Sequence, residues 1–204
     1  TTFASTIGAT HRPAQLTVSG ATTFQDAVQT GALTTTAAIS NGTTLDVSGT
    51  SSIGGNITTS GTQTYTGAVT ITGTAATRTL TNTSSAITFS STVDSTASAA
   101  NSLTFGAGTG TATFTGAVGG ASNGALGTIT NASGQTLIFS DAVSATTIAN
   151  YGTLLFNATA AKTISPAITD NGTTTVQVIN SANSVAPGII TFSGNVAADT
   201  ITIG

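Results

Sequence analysis

Few side chains in this sequence carry charge near neutral pH: six aspartates, Arg12, Arg78, Lys162 and, when protonated, the single histidine, His11. Nucleophilic hydrolysis of the Ser-His-Asp kind would have to use His11 as its base. That residue lies in the least regular stretch, His11-Arg12-Pro13, and reads as a surface or cap residue. Glycoside cleavage needs converging carboxylates with defined separations. Asp26 and Asp141 share a repeat position but lie several repeats apart, and Asp46, Asp94, Asp170 and Asp199 fall at other offsets, so no two are expected to meet. Calcium needs several oxygens around one point. Asp170-Asn171-Gly172 is a single turn signal, so the one metal site left open is a lone Ca2+ at Asp170 completed by backbone carbonyls. Phosphate loops, zinc-ligand spacings and cysteines are missing from the chain, and no other cofactor is implied. The sequence is read as non-enzymatic.

The elements that would position any site are β-strands. Charged residues are 4% of the chain, where ordinary soluble domains have roughly a quarter. Threonine accounts for 49 of the 204 residues, and its branched Cβ favours a pleated, half-buried surface. Leu, Glu, Lys, Arg, Gln and Met, which carry most helices, are scarce or missing. Hydrophobic residues reach 38% with a mean hydropathy of +0.31, and their regular placement argues for folding rather than disorder. A net charge of −3, with a pI near 4.4, argues against nucleic acid as a partner. No apolar run approaches the ~18 residues of a membrane span, so no membrane insertion is expected. The chain begins Thr1-Thr2-Phe3 and reads as a processed product or a fragment.

One pentad recurs: an aromatic or Ile, a small polar residue, a turn former, a small residue, then Val or Ile. It appears at Phe24–Val28, Ile53–Ile57, Tyr65–Val69, Phe89–Val93, Phe114–Val118, Phe139–Val143, Ile164–Ile168 and Phe192–Val196. From Tyr65 to Ile164 successive starts are 24, 25, 25 and 25 residues apart. A second apolar beat follows at Leu80, Phe105, Ile129, Phe156 and Ile179, usually trailed by asparagine: Asn82, Asn131, Asn157 and Asn180. Such a period is the mark of a stacked repeat. The expected fold is all-β, a parallel β-solenoid with coils of about 25 residues and equivalent positions one interstrand spacing apart. Phe89, Phe114 and Phe139 would then form an interior ladder beside Val93, Val118 and Val143. The residues between them (Gly67, Ser91, Gly116, Asp141, Pro166) suit a corner that tolerates unusual φ/ψ. A β-sandwich of short strands is the alternative.

Coarse strands are expected over 62–71, 86–93, 111–118 and 136–143, among others. Residues 1–60 read as an irregular cap, an added strand or a differently wound coil, and 61–204 as the β-repeat body, with one continuous domain as the other division. Asn-x-Ser/Thr sequons occur at Asn41, Asn56, Asn82, Asn131, Asn157 and Asn171. In so threonine-rich a chain they are better explained by composition, and Asn82, Asn131 and Asn157 as corner residues.

Segments such as Thr62–Ile71 and Gly110–Val118 resemble the β-strand repeats of large bacterial surface proteins: filamentous-haemagglutinin-like adhesins, autotransporter passengers and surface-layer proteins. The resemblance covers about residues 60–200. It implies a secreted, cell-surface bacterial protein with a β-helical body and carries no catalytic residues. The expected function is structural: self-assembly with copies of itself into a surface layer, sheath or filament through exposed β edges. An adhesin fragment binding host or surface glycans is the alternative.

Overall fold

The computed structural model describes residues 1–107, 110–122, 124–178 and 189–203. They form a parallel β-solenoid of about nine turns, with no helix among them. Each turn passes through three sheets in a fixed order. Sheet A runs from Thr2–Phe3 to Ala167–Asp170, and sheet B from Val28–Thr30 to Thr200–Ile203. Sheet C runs from Gln15–Val18 to Val93–Ser95 and continues through single bridges at Val118, Val143 and Ile164. Every strand pair among the described residues is parallel, which removes the β-sandwich alternative with its antiparallel neighbours.

Turn length is not constant. Gln15 pairs with Ala32 and Leu33 with Ser51, giving early coils of 17 and 18 residues. Ile87 pairs with Ala112 and Ala112 with Leu137, giving coils of 25. Leu137 then pairs with Leu154, 17 residues on, and Lys162 with Ile190, 28 on. The average is roughly 21 residues per turn, shorter than the 25 of the central repeat. All three sheets continue through residues 15–60 without interruption, so this region is the same solenoid wound with tighter corners.

The pentad marks a bend between two strands. Gln63–Tyr65 lies in sheet B and Val69–Ile71 in sheet C, so the single strand expected over 62–71 is two. The same bend splits 86–93 at Phe89. A coil has three corners with similar demands: an apolar side chain turned in, small residues outside, then another apolar side chain turned in. Tyr65, Phe89, Phe114 and Phe139 therefore end sheet-B strands, with Val69, Val93, Val118 and Val143 opposite them at the start of sheet C. Ile164–Ile168 and Phe192–Val196 belong to the next corner, from C to A: Ile164 pairs with Phe192 and Ile168 with Val196. Ile164 is thus not the next rung after Phe139; Phe156 is.

That rung completes an aromatic stack inside sheet B. Ring centroids are 5.2 Å apart for Tyr65 and Phe89, 4.8 Å for Phe89 and Phe114, 4.8 Å for Phe114 and Phe139, and 5.5 Å for Phe139 and Phe156. Phe105, from sheet A, meets Phe114 edge-on at 5.6 Å. Backbone bonds between coils keep the register, as where Thr115 N–H donates to the Phe89 carbonyl and Ser140 N–H to that of Phe114, both 2.9 Å. The Tyr65 hydroxyl donates to buried Gln63 Oε1 at 3.0 Å, and Gln63 Nε2 donates to the Thr81 carbonyl at 2.8 Å. Burial pushes the Tyr65 phenol far above its ordinary pKa.

The glycines at the centre of the pentad serve close approach rather than unusual φ. A Cβ on Gly67 would lie 2.4 Å from the carbonyl of Gly49 in the coil below, and neither Gly67 nor Gly116 has a positive φ. Among the described residues, positive φ falls instead on positions such as Ala75, Ser98 and Ala100, in the loop corners of the longer coils.

Candidate functional site: the open ends of the solenoid

The candidate catalytic side chains do not converge. His11 is exposed in a bend. Arg12 forms an ion pair with Asp46 at 2.5 Å, and Lys162 with Asp141 at 2.6 Å. Burial alone would raise the Asp141 carboxyl, but the Lys162 ammonium and the Ala142 N–H outweigh it and hold the group below the usual carboxylate range. Asp26 is also lowered, by the Thr6 hydroxyl at 2.7 Å and the N–H of Ala27. It sits at the A-to-B corner whereas Asp141 sits at the B-to-C corner, so the two do not share a column. Asp94, Asp170 and Asp199 each accept a backbone N–H, from Ala121, Gly172 and Thr174. For Asp170 this is a local turn two residues long. No group of three or more His, Cys, Asp or Glu gathers among the described residues.

The asparagines do convergent structural work at one corner. Asn82 and Asn131 end sheet-A strands with their side chains buried, and each amide donates to a carbonyl on the sheet-B side, Ser85 and Thr153. Asn41 and Asn150 do the same toward Thr44 at 2.8 Å and Gly152 at 3.1 Å, although neither falls on the second beat of the 25-residue repeat. Their signal is legible afterwards as apolar-x-Asn: Ile39-Ser-Asn41, Leu80-Thr-Asn82, Ile129-Thr-Asn131 and Ile148-Ala-Asn150. Asn157 follows sheet B rather than A, so it belongs to a different corner and is not equivalent to Asn82 and Asn131. Asn180 and its neighbour Ile179 lie outside the described residues. Of the sequons, Asn41, Asn82 and Asn131 are buried and Asn56 and Asn171 exposed.

What remains is the pair of ends. In sheet B the column Leu154, Val176, Ile201 stacks in register, and so does Phe156, Val178, Ile203. Leu154 and Phe156 are fully buried, whereas Ile201 is 51% and Ile203 79% exposed. These two isoleucines occupy core positions, and no coil among the described residues covers them. At the other end Phe3 is 46% exposed, although it stacks on buried Phe24 at 5.4 Å. Phe3, Phe24, Leu16 and Val18 line an open cavity of about 210 Å3 there. None of the end strands Thr2–Phe3, Gln15–Val18, Ile190–Phe192 and Thr200–Ile203 contains a charged residue. Both ends thus present β edges and apolar side chains without the charges that usually guard an edge.

Comparison with protein-family models, with curated proteins and with solved structures finds no match to this chain.

Proposed function

We propose that this protein is a non-enzymatic scaffold that assembles end to end with copies of itself, at the exterior of the cell. The observation that carries the reading is the exposure of core-column residues Ile201 and Ile203 on an uncharged edge. Covering an aliphatic side chain of this size stabilises by about 1.5–3 kcal/mol. Each junction would also add the interstrand hydrogen bonds that an open edge lacks. Because all strands run parallel, a second copy stacked head to tail offers the same strand direction and the same three-sheet outline. Its N-terminal face, with the cavity between Phe3, Leu16, Val18 and Phe24, would receive the apolar C-terminal coil. Such a contact joins two different surfaces and does not close on itself, so repetition gives a filament. The exterior location rests on the likeness of Thr62–Ile71 and Gly110–Val118 to bacterial surface repeats.

Light scattering and electron microscopy of the purified chain test the reading. Unbranched polymers are expected, and replacing Ile201 and Ile203 together by lysine should leave soluble monomers with an unchanged far-ultraviolet spectrum. A wild-type chain that stays monomeric at high concentration would refute end-to-end assembly.

A further inference from the structure

We propose that the outer face of sheet B is an ice-binding surface, a function independent of assembly because this face lies along the side of the solenoid. Thr111, Thr136, Thr153, Thr175 and Thr200 stand in one outward column, each in direct register with the next. Thr88 and Thr113 stand in register in the column two residues along the strand. All are half-exposed or exposed, so their hydroxyls and methyls meet water. From Gln63–Tyr65 to Thr200–Ile203 the outward positions of this sheet include neither a charged nor an aromatic residue.

The spacing of this array is set by the interior of the same strands. The ring stack of Phe89, Phe114, Phe139 and Phe156 steps by 4.8, 4.8 and 5.5 Å with 12°, 12° and 18° between successive ring planes, so these coils rise by similar amounts although their lengths differ. Along a strand, neighbours on one face are about 6.6 Å apart. The result is a nearly flat rectangular net of hydroxyl and methyl groups, and threonine's branched Cβ holds both in place. A net whose side chains are already ordered loses little further side-chain freedom on binding. A ligand that matches it must repeat in two dimensions at similar intervals and need neither charge nor ring stacking. The oxygen lattice on the prism faces of ice meets that description. Ile138, Leu155 and Gln177 interrupt the second column before Thr202 resumes it; the two aliphatic groups pack between lattice waters as the threonine methyls do, and Gln177 offers its amide. A crystalline polysaccharide also repeats in two dimensions, but flat aromatic side chains usually grip it, and this face has none. Sheet C is a weaker candidate because its ladder shrinks to single bridges beyond Val93–Ser95, whereas an outward aspartate bounds both faces, Asp94 in sheet C and Asp46 beside Thr64 in sheet B.

The test freezes the purified chain slowly and measures its partition into growing ice, together with thermal hysteresis. Variants Thr136→Lys, at the centre of the sheet-B face, and Thr70→Lys, on the outer face of sheet C, are compared, with circular dichroism and melting as controls for folding. Wild type and Thr70→Lys should enter the ice and separate freezing from melting, and Thr136→Lys should lose both effects with its spectrum intact. If Thr136→Lys misfolds, Thr153→Lys takes its place. The proposal is overturned if wild type is excluded from ice, if Thr70→Lys loses as much as Thr136→Lys, or if the sheet-B variants keep full activity. Binding of wild type to crystalline cellulose without any effect on ice would also overturn it.

Discussion

Replacing Phe114 by alanine probes the interior stack at its midpoint. Its ring is 1% exposed, lies 4.8 Å from Phe89 and from Phe139, and receives the edge of Phe105 at 5.6 Å. Truncating a buried phenylalanine costs about 3–5 kcal/mol, because the transfer energy is lost and a cavity remains. Three ring contacts, each worth about 0.5–1.5 kcal/mol beyond area, place Phe114 at the upper end of that range. The neighbouring inward residue Ala112 is already small and cannot fill the gap. Phe192 is the comparison: it is only partly buried and makes one edge contact, with Phe156 at 5.2 Å. Its truncation should cost about 1–2 kcal/mol, in line with its partial burial. Urea unfolding followed by far-ultraviolet circular dichroism reads both. Stacked repeats unfold through nearest-neighbour contacts, so Phe114→Ala should also broaden the transition by uncoupling the two halves. Equal costs for the two variants, or a Phe114→Ala protein as stable as wild type, would refute a core organised around this ladder.

Three further outcomes are expected. Tyr65→Phe removes the donor to Gln63 Oε1 and should cost about 1–3 kcal/mol in thermal unfolding by leaving a buried acceptor unpaired; Gln63→Leu should also destabilise, because it removes the donor to the Thr81 carbonyl. The Asp141 carboxyl is held below its unfolded pKa by Lys162, so its contribution is full above ~3.9 and fades as pH falls through the lower folded value. The melting difference between wild type and Lys162→Met should therefore be constant at neutral pH, worth at most about 1 kcal/mol for so exposed a pair, and close below pH ~4. Ala100→Gly should raise the melting temperature, because Ala100 holds φ +45°, a left-handed conformation that costs an L residue about 1–2 kcal/mol; a lower melting temperature would show that the loop relies on the alanine methyl.

The repeating pentad and the β-branched composition pointed, by themselves, to a stacked parallel solenoid, and the parallel pairing of the strands then removed the β-sandwich that the same residues allowed. A stretch that turns one apolar side chain in, passes small residues and turns in another, again and again, can satisfy its backbone only by pairing with the coil above and below. Phe89–Phe114–Phe139 could be read as one column because the two intervals between them are both 25 residues. The sequence did not distinguish the three corners, since each requires the same residue types; Ile164–Ile168 and Phe192–Val196 therefore looked like rungs of a ladder they do not join. It also concealed the coils of residues 15–60, whose length is set by how tightly each corner closes, and hid Asn41 with them, as the short 17-residue coil from Leu137 to Leu154 hid Asn150. Register between neighbouring coils is fixed by interstrand hydrogen bonds and side-chain packing together, and neither is written in any one coil. Burial likewise depends on whether another coil lies on top: Val176 and Ile201 occupy the same column, yet only the tertiary structure shows that the first is buried and the second half-exposed.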